Sequence, residues 1–161
     1  MSEMKRDTVM DYRPGPQSEL PLEEGEPVLA VFLADHRRYW TDHGAMIAVG
    51  IAALLAILPL MGKADQLPVA IAAVVIGLLL RGLYFRSEAF ARRWQLTDRR
   101  LIGPQGRQVM LLEIDKVRRL LGDVQIVTNS GAKHLIKHLA DGEAVVARIE
   151  AARSARAKVA R

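Results

Sequence analysis

Thr97, Asp98, Arg99 and Arg100 run together and combine a hydroxyl, a carboxylate and two guanidinium groups, which is enough to build a catalytic turn. Their order fits a simpler task. Thr and Asp side-chain oxygens accept hydrogen bonds from nearby backbone N–H groups and so tie off tight turns. Glu113 and Asp115 are two apart and would share one face of a strand, but nothing else marks them as a paired acid and base. His134 and His138 are four apart, yet His134 falls in a predicted strand, so the pair does not share a helix face. His36 and His43 flank Tyr39 and Trp40, and a metal or haem bridging them needs further ligands that the sequence does not offer. There is no phosphate-cradling glycine loop, no His-Glu-x-x-His and no Gly-x-Ser-x-Gly elbow. Cysteine is absent, which removes disulfides, thiolate metal sites and a cysteine nucleophile together. The expectation is a protein that is not an enzyme and carries neither metal nor cofactor.

Charge is the remaining chemical signal. The net charge of +5 conceals an asymmetry. Residues 1–43 hold 5 basic and 9 acidic side chains, whereas residues 86–161 hold 16 basic and 8 acidic ones. Arg86, Arg92, Arg93, Arg99, Arg100, Arg107, Lys116, Arg118 and Arg119 are the candidates for binding anionic lipid headgroups or an acidic partner. Each juxtamembrane basic residue near an anionic surface gains about 1 kcal/mol. Nucleic acid is not expected as a partner, because only 5% of residues are aromatic and few could stack between the cations.

The elements that position these residues begin with two apolar runs. Residues 44–62 carry no charge, and neither do residues 67–80; Gly82 to Phe85 extend the second run past Arg81. A helix needs ~20 apolar residues to cross the hydrocarbon core, so residues 44–85 read as a two-helix transmembrane hairpin. The four-residue break at 63–66 forces the helices antiparallel and puts both ends on one side. Arg37 and Arg38 before the hairpin, with Arg86, Arg92 and Arg93 after it, assign that side to the cytoplasm of a bacterial inner membrane. Tyr39, Trp40, Tyr84 and Phe85 fall where aromatic interface anchors belong. Ala48, Ala52 and Ala56, with Ala73 and Gly77, recur every four residues and supply helix-packing faces, either within the hairpin or against another helix.

Residues 1–26 are rich in Pro and charge and read as a disordered tail. Residues 27–43 read as an interfacial amphipathic segment, from the three-to-four spacing of Val28, Leu29, Phe32, Leu33, His36 and Trp40; a strand over residues 28–33 is the alternative. Beyond Arg93 the pattern changes to short alternating runs broken at 97–99, 103–106, 122–123 and 129–131, which predicts five or six antiparallel strands. Asp141 caps a closing helix whose inner face holds Val145, Ile149 and Ala152. The fold class is a membrane α-helical hairpin followed, over residues 86–161, by an α+β cytoplasmic domain.

Trp94, Leu96, Thr97, Asp98 and Arg100, followed by a turn, an apolar strand and the Ile114 to Val117 step, resemble the bacterial pleckstrin-homology (PH) membrane proteins. Gly25-Glu26-Pro27-Val28-Leu29 ahead of the hairpin is similar to the opening segment of that family, so the resemblance covers roughly residues 25–151. It implies a bent antiparallel sheet or partial barrel capped by a C-terminal helix. It also implies a scaffold or adaptor that binds protein or lipid, and the small-residue faces of the helices add the expectation of a homo-oligomer or of contact with a partner's helix. A related domain occurs in a photosynthetic-complex assembly protein, which gives the alternative: an accessory or assembly subunit of a respiratory or photosynthetic inner-membrane complex.

Overall fold

The computed structural model describes residues 19–160, so most of the expected tail lies outside the described residues. The chain begins with strand β1 (Val28–Leu33) and then enters helix α1 (His36–Leu60). A 3-10 turn (Ala64–Gln66) leads into helix α2 (Leu67–Ala91). Six short strands follow: β2 (Arg93–Thr97), β3 (Arg100–Ile102), β4 (Gln108–Met110), β5 (Ile114–Leu120), β6 (Asp123–Thr128) and β7 (Lys133–Ile136). Helix α3 (Gly142–Val159) closes the chain.

Over residues 28–33 the strand alternative holds: β1 stands where the first half of the amphipathic helix is expected, whereas residues 36–43 are helical and form the opening turns of α1. Six apolar residues satisfy either periodicity, and the partner decides between them. β1 pairs antiparallel with β2, matching Val31 to Gln95 and Phe32 to Trp94. The helical hairpin is therefore an insertion between two paired strands, and both of its feet end on one sheet edge. α1 starts at His36 and α2 runs to Ala91, so each helix extends past its apolar run and Arg86 sits on α2 rather than in the domain.

The helices form where the composition requires. Asp35 caps α1 by accepting a hydrogen bond from the Arg38 amide at 2.7 Å. Pro59 lies in the last turn of α1 and Pro68 in the first turn of α2, the two places where proline costs a helix little. Each helix has 25 residues, about 37 Å at 1.5 Å per residue, and both are long and apolar enough to cross a membrane. Only 6% of each apolar window is buried by the rest of the chain.

The strands form a four-stranded sheet in the order β1-β2-β3-β4 and a three-stranded sheet in the order β5-β6-β7, all pairs antiparallel. Alternation along β6 buries Val124, Ile126 and Thr128 on one face. Val124 and Ile126 meet Trp94, Leu96 and Leu101 of the first sheet in one apolar core. α3 covers that core with Val145, Ile149 and Ala152, and Asp141 caps it through the amides of Glu143 and Ala144.

Candidate functional site

The feet of the hairpin meet the end of β7 in a dense polar and aromatic junction. Tyr39 is buried, and its hydroxyl donates to the Gly82 carbonyl at 2.7 Å, tying α1 to α2. His36 stacks on Phe90 with ring centroids 3.7 Å apart. His43 is also buried; its Nδ1–H donates to the Tyr39 carbonyl at 2.9 Å, and its Nε2 has no partner among the described residues. The two helices close on each other at Gly82, where an added Cβ would stand 2.9 Å from His43 Cδ2 and 3.2 Å from Trp40 Cζ3. Higher up they close at Gly50, where a Cβ would stand 2.9 Å from Val74 Cγ1.

The domain is latched to this junction by a cluster from three elements. Asp42 of α1, Asp123 of β6 and His138 after β7 bring their side-chain ligand atoms within 4.8 Å of one another. Asp42 Oδ2 lies 2.9 Å from His138 Nδ1, and Asp123 Oδ1 accepts from the His138 amide at 2.8 Å. Arg38 pairs with Asp42 at 3.1 Å and donates to the Leu121 carbonyl at 2.6 Å. The geometry would suit a cation, but the Arg38 guanidinium already supplies the positive charge that Asp42 attracts. The cluster works as a polar latch between α1 and the second sheet. His138 holds φ +56°, a left-handed conformation stabilised here by its contacts on both sides. His138 stands four residues from His134 but engages neither it nor any near neighbour in sequence; its carboxylate partners lie 96 and 15 residues away, so no local signal marks the group.

A second polar site lies under β2 and β3. Glu26 is buried and makes an ion pair with Arg100, Nη2 to Oε2, at 2.9 Å. Thr97 donates to Glu26 Oε1 at 2.7 Å and accepts from the Arg99 and Arg100 amides at 3.2 and 3.0 Å. Arg100 also donates to the Pro21 carbonyl. The hydrogen bond from Arg100 comes first among the causes that hold the Glu26 carboxyl down from 4.5 to about 2; burial opposes it, and the Glu23 amide and Thr97 hydroxyl assist. The tail expectation is corrected at its end: residues 19–26 lie along the first sheet, because their carboxylates find arginine partners there. Glu19 pairs with Arg93 at 2.7 Å and Glu23 with Arg99 at 2.9 Å.

The nine basic candidates therefore do not share one free face. Arg92 pairs with Glu88, Lys116 with Asp115 and Arg119 with Glu143, and Arg118 donates to Gln125. Arg86 is exposed on α2, and Arg107 donates to Gln105 beside the junction. Of the expected anchors, Tyr84 is 78% exposed and Phe85 44%, whereas Trp40 is half-buried and Tyr39 is enclosed. Ala48, Ala52, Ala56, Ala73 and Gly77 are all exposed, whereas Ile47, Gly50, Ile51, Leu54, Ile71, Val74 and Leu78 are half-buried, and Gly50 lies against Val74 where the helices close. A Cβ on Gly77 would meet nothing within 4 Å.

Between hairpin and domain lies an open cleft of about 760 Å³. Its walls include Met46, Arg81 and Phe85 from the helices and Lys133, Lys137 and His138 from the domain.

The molecule is thus a two-helix apolar hairpin inserted into an α+β domain. Compared with protein-family models, with curated proteins and with solved structures, the chain matches none.

Proposed function

We propose that this chain is a non-catalytic adaptor of the bacterial inner membrane, in which the hairpin is the anchor and a PH-like domain presents a cytoplasmic binding surface. The observation that carries the reading is the position of the hairpin. Two unburied apolar helices leave one sheet and return to it through adjacent strands, so inserting them in a bilayer would hold the domain against its surface. Four plus three antiparallel strands with a C-terminal helix support the PH-like assignment. The arginines flanking both feet support cytoplasmic termini.

The absence of cysteine makes the test direct. Single substitutions Gln66→Cys and Lys158→Cys are labelled in intact cells with a membrane-impermeant thiol reagent. The adaptor reading expects labelling at residue 66 only, and extraction from membranes by detergent but not by alkaline carbonate. Release by carbonate would defeat the anchor, and labelling at residue 158 would defeat the orientation.

A second reading, an accessory subunit of a larger membrane complex, draws on the exposed small residues of both helices, which suit close contact with another helix. Purification in mild detergent separates the two. A homogeneous multimer of this chain favours the adaptor, and a stoichiometric set of other membrane subunits favours the accessory role.

A further inference from the structure

The cleft at the foot of the hairpin has an uneven charge balance. Its three carboxylates are all engaged: Glu88 with Arg92, Asp42 with Arg38 and His138, and Asp123 with the His138 amide. Arg81, Arg107, Lys133 and Lys137 also line it, and none of the four has a carboxylate partner among the described residues. Lys133 and Lys137 are exposed and line the cleft from the domain side, and Arg81, also exposed, lines it from α2. The cleft is not polar throughout. Met46 and Phe85, 39% and 44% exposed, line it on the helix side, and the Arg81 guanidinium lies 5.7 Å from the centre of the Phe85 ring.

Depth supplies the second observation, and it rests on the membrane-anchored reading above. Arg81 stands 14 residues beyond Leu67, about 21 Å from the hairpin apex at 1.5 Å per residue. By the same rise, Asp42 stands about 27 Å from Leu60 at the apex. The hydrocarbon core is about 30 Å thick. With the apex at the far boundary, Asp42 and Phe85 lie about 3 Å inside the near one and Arg81 about 9 Å inside it, a depth from which its long side chain can reach toward the interface. A guanidinium at that depth is costly unless it reaches a polar partner. Leu121, 92% exposed at the β5–β6 turn beside Arg38, adds an apolar side chain to the cleft lining on the domain side.

We infer that this cleft is a subsite for one anionic phospholipid, its phosphate among Arg81, Lys133 and Lys137 and its acyl chains along Met46 and Phe85. The cations present a charge that zwitterionic lipid satisfies less well, and the apolar wall continues toward the hydrocarbon. The basic residues on β5 do not contribute, because they lie outside the cleft.

The test is native mass spectrometry of the full chain released from nanodiscs containing equal phosphatidylglycerol and phosphatidylcholine. Wild type is expected to retain one phosphatidylglycerol in clear preference. Lys133→Gln with Lys137→Gln, both at exposed positions where folding is undisturbed, is expected to weaken that retention roughly thirtyfold, the effect of removing two cations near an anionic surface. Arg81→Gln is expected to act in the same direction, and Arg118→Gln with Arg119→Gln to leave retention unchanged. Equal retention of both lipids, or a preference that survives the Lys133 and Lys137 changes, would overturn the inference while leaving the anchor intact. So would a chain that carries no lipid but binds an acidic polypeptide through the same lysines. Failure of the anchor would instead appear as release by alkaline carbonate, which none of these lipid outcomes produces.

Discussion

Replacing Glu26 by Gln tests whether the segment before the hairpin is part of the domain. The Glu26 side chain is fully enclosed and its partner Arg100 nearly so. A carboxyl held at about 2 instead of 4.5 contributes about 3 kcal/mol at neutral pH, since each pKa unit corresponds to about 1.4 kcal/mol. Removing one partner of a buried ion pair costs ~3–5 kcal/mol, because the other charge stays buried without compensation. The two routes agree. At ~4–8 °C per kcal/mol for a domain of this size, the unfolding midpoint falls by about 12–24 °C. The assay is thermal unfolding of the full chain in detergent, followed by near-ultraviolet circular dichroism of Trp94. The folded-state pKa is depressed, so the stabilisation is complete above 4.5 and is lost as pH falls toward 2. The Gln variant therefore loses this part of the acid dependence. Glu26→Leu combined with Arg100→Met is expected to recover most of the loss, because an apolar pair of similar volume has no charge to desolvate. A Gln variant as stable as wild type, or a double variant whose loss equals the sum of the single losses, would refute the pairing as the clamp on this segment.

Other substitutions separate close contacts from open ones. Gly82→Ala, whose Cβ would press on His43 and Trp40, is expected to destabilise the hairpin foot by ~1–3 kcal/mol, whereas Gly77→Ala leaves the monomer unaffected because the position is open; both are read by thermal unfolding in detergent. The His134 imidazole is held below its ordinary value by burial and, secondarily, by Arg107. It therefore costs stability as pH falls below 6.5, and Arg107→Gln raises its midpoint in an NMR titration. Asp141→Ala removes the acceptor for the Glu143 and Ala144 amides, which costs ~1 kcal/mol and shows as faster hydrogen exchange in the first turn of α3.

The charge asymmetry of the sequence carried more information than its net value. An acidic stretch before the hairpin and a basic stretch after it are now seen to pair in part, Glu19 with Arg93, Glu23 with Arg99 and Glu26 with Arg100. Complementary charge was the available signal, but nothing local indicated that the two stretches meet. Thr97 was legible as a turn-former from its type and place, and its hydroxyl does accept from the Arg99 and Arg100 amides. Its bond to Glu26 spans 71 residues and was not legible.

Sequence alone determined what depends on contiguous residues. The two apolar helices follow from uninterrupted uncharged runs, the short strands from alternation between turn residues, and the α3 start from Asp141 ahead of an apolar face. Tertiary structure decided what depends on residues far apart in the chain. β1 is a strand because β2, some sixty residues later, offers it a ladder, while its own six residues suit helix and strand alike. The small residues stay exposed because Gly50 and Gly82 already provide the close approach between the helices. The Asp42, Asp123 and His138 latch exists only once α1, β6 and the end of β7 converge. Local preference is set within a few residues, whereas pairing partners and faces are chosen by the free energy of packing over the whole fold.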